Sequence, residues 1–357
     1  MECGSGQSGS GRSGSGRSSA GPTLGRVPDA ARSPDAMRSP RARSSAARPP
    51  SVVLTCGLAT LDVVQTVDHV PAPDEKLVAT DLVVAAGGPA ANAAVTCSAL
   101  GIPARLLTRI GDGPLASMVA ADLREAGVDI VDVGEPNLSP PVSTVLVTRG
   151  TGERAVVSVN ATASGARQLD GSGTDLPAGL LEGVAVVLVD GHHLDLALGC
   201  ARAARERGIP VVLDGGSWKP GLEALLPLVD VAVLSADFAV PGAGDPLAAV
   251  RRAGPRVVAQ SHGPGPIRVL TYEGITTVEV PAVEVVDTLG AGDVLHGALV
   301  AWLASAAGPG RATVAEVRVG LAWAAGVASA SCAAPGSRGW ADDGVRVAEW
   351  RRELAGR

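Results

Sequence analysis

From residue 51 onward, short runs of β-branched residues alternate with Ala-rich runs of helical character, and glycine or proline marks most boundaries. This alternation is typical of βα units wound around a mainly parallel sheet. Two of the Ala-rich runs, residues 89–100 and 115–126, are each followed directly by a glycine, as the end of a helix prefers. The pattern therefore predicts an α/β fold with a mainly parallel central sheet.

The same pattern locates individual elements. Strands are predicted at residues 52–54, 106–109, 184–189, 211–213, 231–234 and 257–259. Helices are predicted at residues 89–100, 115–126, 194–207, 246–253, 291–306 and 313–332. Two regions, about 63–84 and 142–160, instead alternate polar and apolar residues without a helix between them. This favours a small separate sheet that projects from the main body.

The first fifty residues differ in composition from the rest. Half of them are Gly, Ser or Pro, and eight Arg against three acidic residues give them a charge of +5 in a chain of net charge −6. Without a hydrophobic period, such a segment cannot offset the entropy lost on ordering. We therefore predict a disordered tail over residues 1–50 and one folded domain over residues 51–357. A basic tail can contact nucleic acid or an acidic partner, but a dispensable extension, or translated sequence upstream of a start such as Met37, explains it more simply.

Bulk composition limits the classes of function. Hydrophobic residues make up 46% of the chain, which is ample for a core, yet no membrane-type apolar run and no signal-peptide core is present. We therefore expect a cytoplasmic protein without a membrane span. The five cysteines lack metal-ligand spacing, and an aromatic content of 2% argues against recognition of nucleic acid by base stacking.

Residues 287–300 are the most informative segment for function. Asp287 and Asp293 bracket a Gly-Ala-Gly turn at residues 290–292, which leads straight into an apolar helical run. Free backbone N–H groups and the positive end of the helix dipole favour an anion at such a helix start. With Asp293 in the first turn, the segment predicts a phosphate site with a base beside it. The alternative is an ordinary strand-to-helix turn that Asp293 caps.

This segment, including the small residues Gly297 and Ala298, resembles position by position the C-terminal signature of the PfkB carbohydrate kinases, the ribokinase-like family. Further ordered blocks extend the resemblance over roughly residues 51–345. It implies a ribokinase-like three-layer α/β/α fold with a mainly parallel central sheet. It also implies a small β lid over the sugar, formed by the regions 63–84 and 142–160. Because this lid is often a dimer contact in the family, a homodimer is implied as well.

The activity implied by the resemblance is ATP-dependent transfer of the γ-phosphate to a sugar hydroxyl, as in ribokinase or fructokinase. Asp293 would be the base that accepts the hydroxyl proton. The backbone amides of Gly290, Ala291, Gly292 and Asp293 would form an anion hole for the transferred phosphoryl group. ATP and Mg²⁺ are the implied cofactors.

Two blocks resemble the sugar-binding half of the family's site. The first ends in Asp62, after the first strand, and an ionised carboxylate is a strong acceptor for sugar hydroxyls. The second contains Gly87, Gly88 and Asn92, in which the glycines allow the backbone to approach the substrate and the amide can both donate and accept. Pro89 stands where ribokinase has a sugar-contacting Lys, so the substrate need not be ribose.

The nucleotide half follows the family less closely. In the block that begins at Ser235, Phe238 stands where many members have a Glu that organises magnesium, so Asp237 or water must serve there. Ser261 and Gly263 resemble a Thr-x-Gly turn near the phosphates of ATP. The predicted nucleotide contacts are Ser235, Ser261, Gly263, Gly290 and Gly292.

Several polar residues at strand ends have two interpretations each. Asp214 stands where the family often has Asp or Asn near the phosphates, but an Asx-turn residue would look the same. His192 and His193 are candidate substrate contacts, although a lone His is more often structural. His296, one turn after Asp293, either lines the site or packs the helix.

Two loops complete the resemblance. The loop after Cys332 resembles one that, with the first Asp of the signature, holds a monovalent cation. Asp287 is therefore a candidate ligand for a cation such as K⁺, or a plain turn acceptor. Residues 109–113 resemble the family's Gly-Asp turn, to which we assign a structural role.

Other functions remain open alongside a free-sugar kinase. A nucleoside kinase of the same family would cover the base with apolar or aromatic lid residues, and this chain has few aromatics. A phosphosugar substrate would need basic lid residues, for which Arg149 and Arg154 are candidates. A non-catalytic sugar-binding sensor would explain the missing Glu, but a sensor has no need of the base and the Gly-Ala-Gly turn.

Overall fold

The computed structural model describes residues 51–151, 153–159, 176–306 and 312–357. The predicted disordered tail, residues 1–50, lies outside the described residues, as does the last residue of the region 142–160. The strands of the described chain are β1 Val52–Cys56, β2 Thr60–Val67, β3 Asp81–Gly87, β4 Ala104–Thr108, β5 Val128–Asp132, β6 Val142–Thr148, β7 Arg154–Ser158, β8 Val184–Val189, β9 Val211–Gly215, β10 Val231–Leu234, β11 Val257–His262, β12 Gly265–Thr271 and β13 Gly274–Val278. The helices are α1 Pro89–Ala99, α2 Pro114–Glu125, α3 Leu194–Glu206, α4 Leu222–Leu225, α5 Pro246–Ala253, α6 Ala291–Ala306, α7 Val314–Ser331 and α8 Gly344–Ala355.

Nine strands form the central sheet within the described residues, in the order β13-β12-β11-β10-β9-β8-β1-β4-β5. Every neighbouring pair from β11 to β5 is parallel. The strands β12 and β13 form an antiparallel hairpin at one edge. All six predicted strands lie in the parallel part, where burial on both faces produces continuous apolar runs. The prediction of a mainly parallel sheet is confirmed.

The sequence pattern did not predict β5, the hairpin β12–β13 or α8. In β5 only Val128 is buried, and β12 alternates buried with more exposed residues, so the apolar signal of both strands is diluted. In α8 only Val347 and Leu354 are buried, which leaves too thin an apolar stripe to recognise. Edge elements bury one face only, and the pattern is weakest there.

Helices cover both faces of the central sheet. One hydrophobic core contains residues of α1, α2, α6, α7 and α8, and a second contains residues of α3, α4 and α5. Successive strand residues alternate between the two cores: in β1, Val53 belongs to the first and Leu54 to the second. The predicted three-layer α/β/α architecture is therefore confirmed. Among the residues that the structure describes, no helix has the length and apolar character needed to cross a membrane.

The two alternating regions form a second sheet of four strands, in the order β3-β2-β6-β7. The strand β2 is antiparallel to β3 and parallel to β6, and β6 is antiparallel to β7. This small sheet starts just after β1 and returns through β3 directly into α1. Its root therefore lies at the carboxyl ends of the central strands, the edge at which open α/β sheets bind ligands.

Candidate active site

The Gly-Ala-Gly turn lies at the start of α6, as predicted. Gly290 has a φ of 74°, a conformation that residues with a Cβ rarely adopt. A Cβ at this position would also lie only 2.6 Å from the Cβ of Ser337. Both constraints require glycine, because the loop that contains Ser337 packs directly against the turn.

Asp293 lies in the first turn of α6, half-buried at the point where helix, sheet and α1 meet. Its Oδ2 accepts a hydrogen bond of 2.7 Å from the Nδ2 of Asn92. Burial, and secondarily the negative charge of Asp214, raises the pKa of Asp293 to about 7, although the bond from Asn92 opposes the shift. A carboxyl group with this pKa can accept a proton near neutral pH and hold it.

The contact between α1 and α6 brings Asn92 to Asp293. A Cβ on Gly297 would lie 2.6 Å from the Cβ of Thr96 and 2.7 Å from the carbonyl oxygen of Ala93, so the two helices touch at this glycine. The Oδ1 atom of Asn92 is buried, and it has no hydrogen-bond partner among the described residues. The amide of Asn92 thus has its donor bonded to Asp293 and its acceptor without a partner in the described chain.

The predicted sugar-binding residues lie together at the root of the small sheet. Gly88 has a φ of 97°, and a Cβ on it would approach the carbonyl oxygen of Leu58 to 2.5 Å. A Cβ on Gly87 would overlap the carboxylate of Asp62, so this glycine makes room for the acid. The hydroxyl of Thr60 donates a 2.6 Å hydrogen bond to Asp62 Oδ1 and orients it. Asn92 joins this group through a 2.8 Å hydrogen bond from its backbone N to the Gly88 carbonyl, and the binding of sugar by these residues stays a prediction.

An apolar cavity of about 300 Å³ lies beside the turn at the start of α6. Three predicted nucleotide contacts line it: Ser261 and Gly263 from the hairpin β11–β12, and Gly292 from α6. The rest of its wall comes from α6, α7 and the segment after β13, including Val280, Pro281, Leu295, Ala325, Ala328 and Cys332. A flat apolar group with a few polar edges suits such a wall.

Comparison with known proteins agrees with this arrangement. The profile described as pfkB family carbohydrate kinase matches residues 51–339. The chain belongs to the pfkB family of carbohydrate kinases. A ribokinase of Arabidopsis thaliana is 27% identical over 270 residues, which covers 71% of this chain and 70% of that protein. An ATP-dependent ribose-1-phosphate kinase of Halopiger xanaduensis is 27% identical over 265 residues, which covers 70% of this chain and 84% of its own length.

Solved structures support the ribokinase-like fold of this PfkB kinase. Ribokinase from Giardia lamblia superposes with a TM-score of 0.65 at 17% identity, covering 82% of this chain and 99% of the other. Arabidopsis thaliana ribokinase complexed with ribose and ATP gives a TM-score of 0.63 at 19% identity, covering 85% and 99%. The chain is therefore a PfkB sugar or nucleoside kinase that resembles ribokinase.

In the turn after β10, which begins at Ser235, Phe238 stands at the position where the resemblance implies a magnesium-organising Glu. The ring of Phe238 is buried and packs edge-on against Trp218, with ring centroids 6.1 Å apart. Asp237 is exposed, and the hydroxyl of Ser235 donates a 2.8 Å hydrogen bond to the Gly216 carbonyl. Ser235 does not line the apolar cavity with the other predicted contacts. Of these three residues only Asp237 offers a carboxylate, the ligand that Mg²⁺ prefers together with water, and Phe238 offers no ligand.

Asp287 connects the turn to the loop that follows α7. Its Oδ1 accepts a 2.8 Å hydrogen bond from Leu289 N, and its Oδ2 accepts one of 2.9 Å from Gly336 N. Both oxygens thus serve as turn acceptors. Within the described ranges, no group of three or more His, Cys, Asp or Glu residues could hold a metal ion. The role of Asp287 as a ligand for a monovalent cation stays a prediction.

The histidines after β8 lie close to the sugar-binding root. Burial lowers the pKa of His192, and it lowers that of His193 to about 4. The Nε2 of His193 is buried without a hydrogen-bond partner in the described part of the chain. Both side chains are therefore neutral at physiological pH.

Sequence reasoning missed two side chains that hold the site together. Asp190, at the end of β8, accepts hydrogen bonds from Leu58 N at 2.8 Å, from Ala90 N at 3.2 Å and from His192 N at 2.9 Å. It ties the loop after β1 to the start of α1. The guanidinium of Arg338 donates to Asp122 Oδ2 at 2.6 Å and to the Ala86 carbonyl at 2.5 Å. No local pattern marks either residue, because their partners are distant in sequence.

Proposed function

We propose that this PfkB kinase transfers the γ-phosphate of ATP to a hydroxyl of a sugar, as ribokinase or fructokinase does, and that it works in the cytoplasm. The observation that carries the proposal is the hydrogen bond between Asn92 and Asp293. It joins the group of predicted sugar-binding residues to the turn at the start of α6. A sugar on one side and a phosphate on the other would thus meet at one carboxylate.

In the proposed mechanism, Asp62, Gly88 and Asn92 hold the sugar. The free Oδ1 of Asn92 accepts a hydroxyl hydrogen, and the backbone at Gly88 allows close approach. Asp293 accepts the proton of the attacking hydroxyl as the oxygen forms its bond to the γ-phosphorus and the bond to ADP breaks. The amides of Gly290, Ala291, Gly292 and Asp293 stabilise the charge on the transferred group.

ATP would bind with its adenine in the apolar cavity lined by Ser261, Gly263 and Gly292. Because the protein offers few oxygen ligands near Phe238, magnesium would arrive bound to the phosphates of ATP and keep most of its waters. The proposed role of Asp287 is to support a monovalent cation such as K⁺ beside the turn.

Replacing Asp293 by Asn tests the base. D293N should fold and bind sugar, because Asn can still accept the hydrogen bond from Asn92, but turnover should fall about 10²- to 10⁴-fold as the proton acceptor is lost. The measurement is ADP release together with sugar affinity by calorimetry. Exposed Asp342, changed to Asn, is the matched control and should keep normal turnover. Near-normal turnover of D293N would contradict the assignment of Asp293 as the base.

A phosphosugar is the second candidate acceptor, favoured by one observation. Arg154 lines an open cavity of about 570 Å³ together with Thr288 of the signature segment, Thr148 and Glu153. The other candidate, Arg149, is already paired with Asp68. The R154Q variant should lose activity on phosphosugars and keep activity on free sugars if Arg154 binds the acceptor's phosphate.

ADP release measured with fructose, ribose, adenosine and phosphosugars distinguishes the remaining hypotheses. ADP release with adenosine alone would favour a nucleoside kinase. Sugar binding without ADP release from any acceptor would favour the non-catalytic sensor and overturn the proposed function.

A further inference from the structure

His296 lies on α6 one turn after Asp293, and only 6% of its surface is exposed. Its Nδ1 is 2.6 Å from the carbonyl oxygen of Gly292 and 3.2 Å from Oδ2 of Asp214. Its Nε2 is 3.1 Å from the carbonyl oxygen of Val233. Nε2 therefore faces a carbonyl oxygen, and Nδ1 faces a carbonyl oxygen and a carboxylate oxygen, which cannot donate a hydrogen bond when Asp214 is ionised.

This geometry favours one form of the ring over the other. A neutral imidazole carries one N–H group, so one of its nitrogens would turn a lone pair toward an oxygen lone pair. Only the imidazolium form donates at both nitrogens. Asp214, which is 5% exposed, supplies the counter-charge from β9. A buried charge that is paired and hydrogen-bonded at every polar atom is the form that protein interiors tolerate.

We propose that His296 is a positioning residue for Asp293: its imidazolium, paired with Asp214, offsets the negative charge beside the base and holds the Gly292 carbonyl at the start of α6. The inference rests on the proposed function, in which Asp293 is the base. It explains why a charged pair is buried beneath a helix start that needs to accept negative charge.

The charges around Asp293 support this role. Burial, together with Asp214 from β9 and Asp190 just after β8, raises the pKa of Asp293, whereas Asn92 from α1 and His296 from α6 lower it. Burial raises the pKa of Asp214, and the nearby His296 and Lys219 oppose that shift. Residues three apart on a helix are neighbours, so the imidazolium is close to the base. Without the imidazolium, the pKa of Asp293 should rise further.

The experiment compares H296Q with the double variant D214N/H296Q. Gln keeps a donor amide but no charge, so the acid limb of kcat/KM against pH should move up by about one pH unit or more, the usual effect of one nearby charge. The double variant removes both charges and should return the limb toward its wild-type position. E206Q, which removes an exposed charge at the end of α3, is the control and should leave the profile unchanged.

A merely structural role predicts a different pattern. Both variants would then lose kcat while the acid limb of kcat/KM stays at its wild-type pH. The kcat of the double variant would also be no higher than that of H296Q. Either result overturns the inference.

A second measurement does not depend on kinase activity. The chain has five histidines, and ¹⁵N spectra of the histidine-labelled wild-type protein, compared with H296Q, identify the ring of His296. At pH 7.5 both of its nitrogens should give imidazolium shifts. A neutral ring of His296 overturns the inference, whether or not the protein releases ADP. An imidazolium ring in a protein that releases no ADP overturns the proposed function and retains the charged pair.

Discussion

At the scale of single residues, Asp293 illustrates a conflict between activity and stability. A carboxylate that is poised to accept a proton must be partly removed from water and placed near other negative charge, and here these two factors raise its pKa to about 7. The unfolded chain would ionise the same group near pH 4. Ionising Asp293 in the folded protein therefore costs free energy that the unfolded state does not lose.

The pH dependence of stability follows from this difference. Between about pH 4 and pH 7 the folded protein binds the proton more tightly than the unfolded chain, so its stability should fall as the pH rises through this window. D293N lacks this contribution. At pH 8 it should melt a few degrees above the wild type, with a gain of at most about 4 kcal/mol. Below pH 4 the two should melt together, and calorimetric melts from pH 3 to 9 check this. A constant difference at every pH would contradict it.

At the scale of elements, the site depends on how closely α1 and α6 approach. The contact at Gly297 places two helices near enough for Asn92 to reach Asp293, and the thiol of Cys97 donates to the Gly297 carbonyl at 3.2 Å. Overpacking a close helix contact forces side chains or backbone to shift.

G297A should therefore separate the two helices. The added methyl group should cost about 1–3 kcal/mol of stability and reduce kcat, because the bond from Asn92 to Asp293 lengthens. Gly326, in α7, is the matched control, since a Cβ there would meet nothing within 4 Å. G326A should be neutral or slightly stabilising, as expected for Ala in a helix. Denaturant unfolding and turnover are measured for both G297A and G326A. Equal losses in the two variants would contradict the proposed role of Gly297 in the contact between α1 and α6.

At the scale of the whole molecule, the small sheet presents exposed valines, as expected of an interface rather than a free surface. Val157 on β7 and Val84 on β3 are 74% and 43% exposed, and the strand register places both on the same face of the sheet. In the described chain, β3 and β7 are the outer strands of this sheet. Exposed apolar residues on outer strands favour association. We propose that a second copy of the chain covers this face.

The oligomeric state tests that proposal. At micromolar concentration the wild type should sediment as a dimer, and V157E should sediment as a monomer, because the partner would have to bury an unpaired charge. V345E changes a valine on α8 with the same 74% exposure and should remain dimeric. A monomeric wild type, or equal dissociation of both variants, would rule out the small sheet as the dimer contact.

Much of this molecule follows from local sequence. Apolar runs of the parallel strands, glycines after helices and the signature at residues 287–300 predicted the sheet, its layers and the family, because each depends on neighbours a few residues apart. Local motifs likewise marked Asp62, Gly88, Asn92 and Asp293 as candidate site residues. The edge elements were missed, since a strand or helix that buries only one side leaves a weak pattern.

The tertiary structure alone decided how the site works. The bond between Asn92 and Asp293 joins residues 201 positions apart, and Asp190 reaches back 132 positions to Leu58. The packing of Phe238 against Trp218 and the pairing of His296 with Asp214 were equally invisible in the chain order. Sequence determines which chemical groups are present and what local structure they form. The pKa of a base and the partners of a buried ring depend on charges and surfaces that only folding brings together.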